Sequence, residues 1–224
     1  MVGYFVTLQS ETVMKNRAIE ISISKEQVAK MPTVGFDGAI TLIDRPGDVS
    51  AAVSYLRKQP MVGFDTETKP NFRKGMTNKV SLIQVATEEQ SFLFRLNKIG
   101  FREEIKAFLE CEDVVKIGLS LKDDFHVLHK VSPFTPGGFV DLQDVVKKYH
   151  ISDASLQKIY AILFGERISK SQRLTNWEAA QLTPQQMVYA SIDAWACLRI
   201  YRMLNEGRFD PFTSPYIVTP ENTE

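Results

Sequence analysis

The amino-acid sequence predicts an α/β domain in which helices flank a mixed β-sheet. Three strand-like runs follow one another closely, at residues 61–64, 80–86 and 91–94, and short connections between such runs favour antiparallel pairing. After Gly100, short apolar runs alternate with helical patterns, and from Ser155 onward the pattern is almost entirely helical. Strands first, then alternating strands and helices, then helices is the order expected of one such domain.

The elements before residue 60 follow from capping residues, turn residues and apolar spacing. Ser24 is a suitable N-cap for a short helix within residues 24–31, although the first thirty residues otherwise carry little pattern. Residues 39–44, with the sequence AITLID, favour a strand, and a Pro-Gly pair then interrupts the pattern. Residues 49–59 have the apolar spacing of a helix.

The elements after residue 100 alternate in type. Helices are predicted at residues 102–110, 122–130, 142–149 and about 184–204, and strands at 114–117 and 139–140. The last helix has the clearest start, because Thr183 can cap it and Pro184 suits its first turn. We expect the segment after Gly207, which contains three prolines, to be irregular.

Length and composition indicate a single domain with short extensions. The chain has 224 residues, of which 44% are hydrophobic and 24% charged. A chain of this length can bury a core without disulfides or structural zinc. The composition excludes disordered, collagen-like and low-complexity classes, and no internal repeat or flexible linker divides the chain.

The charge balance limits what the surface can bind. The 27 basic and 27 acidic residues cancel, and the isoelectric point is about 6.8. A uniformly basic surface for nucleic acid is therefore excluded, whereas a local basic groove on a neutral body is not.

Cysteine use and apolar patterning predict the compartment. Cys111 and Cys197 are the only cysteines, and their spacing suggests neither a zinc site nor a disulfide framework. The sequence has no signal-peptide pattern and no apolar stretch near the roughly 20 residues that span a bilayer. We expect an intracellular, cytoplasmic protein that does not enter a membrane.

The first candidate for chemistry is the run MVGFDTET at residues 61–68. The two-residue period of a strand places Asp65 and Glu67 on the same face. Adjacent carboxylates repel each other unless solvent or a cation compensates, and hard oxygen ligands suit Mg²⁺ or Mn²⁺. Taken alone, the motif is more often a solvated strand end.

The second candidate lies in KIGLSLKDDFHVL, residues 116–128, where a short strand leads into a helix. Asp123 is interpreted as a capping residue of that helix. Asp124 shares a helical face with Leu128, four residues later, and this spacing turns Asp124 toward the core.

The third candidate is the long C-terminal helix. Tyr189 and Asp193 are four residues apart and therefore neighbours on one helical face. An aspartate among so many apolar residues needs a partner, because an unpaired buried carboxylate is costly. No basic residue flanks it on this turn, and a metal ion shared with distant carboxylates would supply that partner.

The three motifs together resemble the DEDD superfamily of 3′–5′ exonucleases, in its tyrosine subgroup. The segments that carry the resemblance are, in order, FDTET, KVSLIQV, LFRL, KIGLSLKDDFHVL, VDLQDVV, SLQKI, NW and LTPQQMVYASIDAWACLRIY. They look most like the Werner-type exonuclease domains and more distantly like ribonuclease D. The resemblance covers residues 32–207, which predicts an N-terminal extension at 1–31, the exonuclease domain at 32–207 and a tail at 208–224.

The resemblance implies a ribonuclease-H-like fold, with three antiparallel strands followed by β/α units. It implies two divalent cations, Mg²⁺ or Mn²⁺, and hydrolysis of phosphodiester bonds from a 3′ end. Carried over position by position, the family's metal ligands and its catalytic tyrosine fall on Asp65, Glu67, Asp124, Asp193 and Tyr189. The sequence departs from close relatives at Asp123, where they often have glycine.

Contacts to the substrate are predicted from two basic loops, one after Glu67 and one before Trp177, which is itself interpreted as a packing residue. The candidate contacts are Thr66, Phe72, Arg73, Lys79, Lys170 and Arg173. The expected partner is the 3′ end of a nucleic acid, with DNA favoured. RNA processing in the manner of ribonuclease D and a non-catalytic binding module are the alternatives. The sequence does not indicate whether there is a protein partner or what the oligomeric state is.

Overall fold

The computed structural model describes residues 19–70 and 78–218, and its centre is one six-stranded mixed sheet. The strands are β1 Ala39–Ile43, β2 Met61–Thr68, β3 Val80–Ala86, β4 Gln90–Arg95, β5 Val115–Gly118 and β6 Phe139–Asp141. Their spatial order is β1-β4-β3-β2-β5-β6. Strands β2, β3 and β4 pair antiparallel, as predicted, whereas β1 joins β4, β5 joins β2 and β6 joins β5 in parallel.

Helices cover both faces of this sheet. They are α1 Lys25–Ala29, α2 Val49–Leu56, α3 Leu96–Ile99, α4 Glu103–Glu110, α5 Leu121–His129, α6 Leu142–Lys147, α7 Leu156–Phe164 and α8 Pro184–Asn205. The predicted fold class is confirmed. Both predicted caps are also present: the Ser24 and Thr183 side chains each accept from a backbone N–H three residues on, within complete capping boxes.

The long helix α8 crosses one face of the sheet at very short range. A Cβ at Gly63 would lie 1.8 Å from the Ala194 carbonyl oxygen, so only glycine permits this approach. Strand β2 therefore lies directly beneath the middle of α8. On the opposite face, β2 and β3 pack against α2, α4 and α5 through a second apolar core.

Strand β2 is longer than predicted. Its ladder with β3 continues to the pair Thr68–Val80, with an irregularity between Glu67 and Thr68. Asp65 and Glu67 lie inside the strand because β3 supplies backbone hydrogen-bond partners to this part of β2. The apolar pattern of β2 alone gives no sign of this pairing. Asp65 and Glu67 are therefore held by a sheet and do not belong to a loose strand end.

The segments at both ends of the predicted domain contact its core. Ile21 is fully buried and forms isolated bridges with Ile151 and Ile217. Residues on either side of the predicted boundaries at 32 and 207 thus pack together, and the boundaries themselves stay predictions. Within the two described stretches, no helix is long and apolar enough to cross a membrane.

Candidate active site

Three acidic side chains meet where β2 passes under α8. One carboxylate oxygen each from Asp65, Glu67 and Asp193 lies within 4.8 Å of the other two. Two features of the sequence produce this: the period of two along β2, and the close approach of α8 at Gly63. Asp193 is only 7% exposed, so its charge is largely removed from solvent.

The fourth predicted acid, Asp124, approaches the same place from the opposite face of the sheet. It lies on α5, is 9% exposed, and accepts a hydrogen bond of 2.5 Å from the Thr66 hydroxyl. Leu128 on the same face of α5 is fully buried, as the spacing predicts. Thr66, predicted as a substrate contact, thus also connects Asp124 to the strand that carries Asp65 and Glu67.

The start of α5 is capped differently from the sequence interpretation. Asp123 is an exposed residue of the first turn, so its predicted capping role is wrong. The backbone N–H groups of Ser120 and Leu121 donate instead to the carboxylate of Asp141, at 3.2 and 2.9 Å. Ser120 adopts a left-handed conformation with φ of 61°, which turns the chain sharply from β5 into the helix. Asp141 lies 20 residues away at the end of β6, so local sequence gives no signal for it.

The pKa values of the four acids are all raised, because the acids are buried and lie close to groups of like charge. Burial, followed by the charges of Asp65, Asp193 and Asp124, raises the pKa of Glu67 to about 10. Burial also raises the pKa of Asp193 to about 7, although a hydrogen bond from Tyr189 opposes that shift. The pKa of Asp65 lies well above its ordinary value because of burial and the charge of Asp193. Burial and the charge of Asp65 raise the pKa of Asp124 in the same way.

This donor set fits hard divalent cations. The ligands available are carboxylate oxygens, which Mg²⁺ and Mn²⁺ prefer. A bound cation would replace the protons that the raised pKa values retain, and it would remove the repulsion among the acids.

Tyr189 lies one helical turn before Asp193, and its hydroxyl donates a hydrogen bond to the Asp193 carboxylate. Its ring packs 6.0 Å, centroid to centroid, from that of Trp177, which is fully buried, consistent with the predicted packing role. Burial and the charges of Asp193 and Glu67 raise the pKa of the phenol above its ordinary value. The hydroxyl therefore keeps its proton at neutral pH and acts as a hydrogen-bond donor.

The predicted substrate contacts differ in where the structure places them. Lys170 and Arg173 line the same cleft as the acids, together with Thr66. Lys79 is exposed just before β3 and is not among the described residues that line this cleft. Phe72 and Arg73 lie outside the described residues.

Two buried polar side chains that the sequence analysis missed hold the Lys170–Arg173 loop against the sheet. Arg95, at the end of β4, donates to the carbonyl oxygens of Ala179 and Ala180. Gln186, in the first turn of α8, donates at 2.9 Å to the hydroxyl of Thr175. The loop that carries the cationic side chains is thus attached both to the sheet and to the helix of Tyr189 and Asp193.

Four acids and a tyrosine on a ribonuclease-H-like sheet are the features of the 3′–5′ exonucleases. Residues 40–207 match the family described as 3′–5′ exonuclease, and the chain belongs to that family. The family is divalent-metal dependent, and the resemblance drawn from the motifs is confirmed.

Two curated relatives show the range within the family. The chain is 30% identical over 184 residues to the mouse bifunctional 3′–5′ exonuclease/ATP-dependent helicase WRN, covering 78% of this chain and 13% of that protein. It is 25% identical over 192 residues to ribonuclease D of Gluconacetobacter diazotrophicus, covering 82% of this chain and 48% of that protein. The chain therefore corresponds to less than half the length of either relative.

A solved structure supports the fold independently. The Nibbler EXO domain of Aedes aegypti superposes with a TM-score of 0.70 at 24% identity, covering 80% of this chain and 96% of that domain. Likeness at this identity concerns the arrangement of strands and helices, which is the arrangement described above.

Proposed function

We propose that this protein is a 3′–5′ exonuclease that uses two divalent cations, Mg²⁺ or Mn²⁺, to release nucleoside 5′-monophosphates from the 3′ end of a nucleic acid. The observation that carries the proposal is the meeting of the Asp65, Glu67 and Asp193 carboxylates within 4.8 Å. Asp124 approaches from the other face of β2 and gives the site ligands on two sides. Asp65 interacts electrostatically with Asp193 on one side and with Asp124 on the other, and it would help to hold the cations.

The assigned roles follow from charge and protonation. Divalent cations held by these acids would acidify the attacking water and stabilise the leaving 3′-oxyanion. Tyr189 keeps its proton and orients that water through its hydroxyl. Lys170 and Arg173 lie where they can pair with phosphate oxygens, a contact that does not depend on base sequence.

DNA is the substrate that we favour. The support is the similarity to the mouse exonuclease/helicase and the closer match of the motifs to Werner-type domains. RNA is the second candidate, because the chain is also similar to a protein named ribonuclease D. The cytoplasm is our proposed compartment, and the two free cysteines are consistent with reducing conditions.

The decisive experiment compares DNA and RNA strands of matched sequence, labelled at the 5′ end, with Mg²⁺, Mn²⁺, Ca²⁺ or EDTA. We expect a ladder that shortens by one nucleotide at a time with Mg²⁺ or Mn²⁺, little turnover with Ca²⁺, and none with EDTA. Release of a labelled 5′ mononucleotide at early times, or cutting of a closed circle, would contradict the polarity. Binding without hydrolysis under all conditions would favour a non-catalytic module.

A further inference from the structure

The central strand β3 places a buried amide directly beside the acidic cluster. Gln84 pairs with Asp65 in the register of β3 and β2. Directly opposite residues of antiparallel strands project from the same face, with Cβ atoms about 4.5–5.5 Å apart. That face is the one covered by α8, because Gly63, two residues before Asp65, contacts Ala194. The Gln84 side chain is therefore within reach of the Asp65 carboxylate.

The amide of Gln84 is buried without a hydrogen-bond partner. The residue is 0% exposed, and neither its amide nitrogen nor its carbonyl oxygen has a partner among the described residues. Burying an unpaired amide costs free energy that a hydrocarbon side chain of the same length would not cost. The rest of this face of β3 does not need such a group, since Leu82 on the same face packs in an apolar cluster.

We infer that Gln84 is a positioning residue for Asp65: its amide N–H donates to one carboxylate oxygen and fixes the orientation in which Asp65 ligates the cations. The inference rests on the proposed function, since it concerns how the metal ligands are oriented. Partners of this kind fix ligand orientation, and their removal typically lowers metal affinity by about 10- to 100-fold.

The test replaces Gln84 by methionine, which keeps the length of the side chain and removes the amide. The full chain is freed of metal, and Mg²⁺ is then titrated while the melting temperature and the Mg²⁺ binding heat are measured. We expect the Mg²⁺ concentration for half-maximal stabilisation to rise by about 10-fold or more. The melting temperature without metal should not fall, because in the metal-free structure the Gln84 amide has no hydrogen-bond partner among the described residues.

Ser81→Ala is the matched control. Ser81 is also buried in β3 and its hydroxyl also has no partner among the described residues, but it lies at the irregularity of the ladder, where no residue of β2 is paired with it. Its Mg²⁺ titration should equal that of the wild type. An equal shift in Ser81→Ala would assign the effect to packing and overturn the inference.

Two further outcomes are decisive. An unchanged Mg²⁺ titration in Gln84→Met, with a responsive wild type, overturns this inference alone. A wild type without any response to Mg²⁺ or Mn²⁺ overturns the proposed function and this inference with it. If Gln84→Met does not fold, Gln84→Asn retains the amide but shortens its reach, and it should shift the titration in the same direction.

Discussion

The sheet carries two sites of buried charge, Lys116 in β5 and the acidic cleft, and they differ in the partners that the fold supplies to the charge. Lys116 in β5 is 0% exposed, yet its ammonium donates to the carbonyl oxygens of Cys111 and Val114, at 2.5 and 2.9 Å. The rings of Phe108 and Phe139 lie 5.3 and 5.1 Å from the same nitrogen. In the acidic cleft, by contrast, the three carboxylates of Asp65, Glu67 and Asp193 are brought together, and Lys170 and Arg173 are the basic side chains among the described residues that line it.

The difference teaches which buried charge is structural and which serves a ligand. Burial lowers the pKa of Lys116 to about 8, but the chain itself supplies carbonyl dipoles and aromatic faces to that charge. Burial, followed by repulsion among the carboxylates, raises the pKa values of Asp65 and Glu67. A group whose partners lie within the fold is expected to affect stability. Groups whose charge the fold leaves uncompensated are expected to affect cation binding and catalysis.

The largest expected effect is that of Asp65→Asn. Because Asp65 interacts with acids on both sides of β2, we expect kcat/KM to fall by about 1000-fold or more. The metal-free protein should be at least as stable as the wild type, since burial disfavours the Asp65 carboxylate and the asparagine amide carries no charge. Hydrolysis of a 5′-labelled strand and the melting temperature in EDTA measure the two quantities. A lower melting temperature with full activity would contradict this prediction, because it would give Asp65 a role in stability and none in catalysis.

The next comparison separates Asp124 from its neighbour. Asp124→Asn should cost about 100-fold or more in rate, because it removes a ligand charge that Thr66 orients. Asp123→Asn should change the rate by less than about 2-fold, because Asp123 is an exposed surface residue of α5. Single-turnover rates at saturating Mg²⁺ test both variants. If the two effects are exchanged, the motif is assigned one residue out of register.

Removing the Tyr189 hydroxyl should have an intermediate effect. In Tyr189→Phe the rate should fall by about 10- to 1000-fold, which corresponds to about 1.4–4 kcal/mol of transition-state stabilisation. KM should change little, since the hydroxyl is assigned to the water and not to the nucleic acid. Tyr160→Phe is the control, because it removes the hydroxyl of another buried tyrosine. That hydroxyl accepts a hydrogen bond from Arg199, and Tyr160 is not among the described residues that line the acidic cleft. A wild-type kcat in Tyr189→Phe would leave the ring with a packing role alone.

Lys116→Met tests the other side of the comparison. Methionine fills a similar volume but leaves two carbonyl oxygens without the ammonium, so the free energy of unfolding should fall by about 1.5–3 kcal/mol. The rate at saturating Mg²⁺ should stay within about 2-fold of wild type under conditions where the variant is folded. Urea denaturation and the strand-shortening assay provide the two measurements. Loss of activity at full stability would instead connect Lys116 to the chemistry.

The smallest expected effect is a dependence of stability on pH. The native metal-free protein retains protons that the unfolded chain has lost, because the pKa of Asp193 rises from 3.8 to about 7. The pKa of Glu67 is raised to about 10, so protons are retained to still higher pH and the free energy of unfolding falls as pH rises between about 4 and 10. We expect the melting temperature in EDTA to drop by a few degrees over this range. Saturating Mg²⁺ should flatten the slope, and an equal slope with and without Mg²⁺ would place the responsible titration elsewhere.

Residues whose role depends on spacing along one element could be predicted from the sequence. The period of two placed Asp65 and Glu67 on one face, and the spacing of four placed Asp124 inward and Tyr189 beside Asp193. Such neighbours are fixed by the geometry of a strand or a helix before any tertiary contact forms. The capping roles of Ser24 and Thr183 were predictable for the same reason.

Residues whose role depends on another element could not be predicted in this way. The sequence favoured Asp123 as the cap of α5, whereas Asp141 from β6 takes that place. The bond between Thr66 and Asp124 joins residues 58 positions apart. The position of Gln84 opposite Asp65 depends on the register of two strands, which is set by pairing across the sheet.

The sequence by itself determined the order of strands and helices, the identity of the acidic residues and the family, because local periodicity and motif spacing are properties of the chain alone. Only the tertiary structure decided that the acids converge, that β2 carries them within a paired ladder, and which buried polar groups are satisfied. Those facts depend on the approach of α8 to Gly63 and on hydrogen bonds between distant segments. A buried polar group can bond only to atoms that the fold brings within about 3 Å of it. Distances between residues that are far apart in the chain cannot be calculated from the sequence alone.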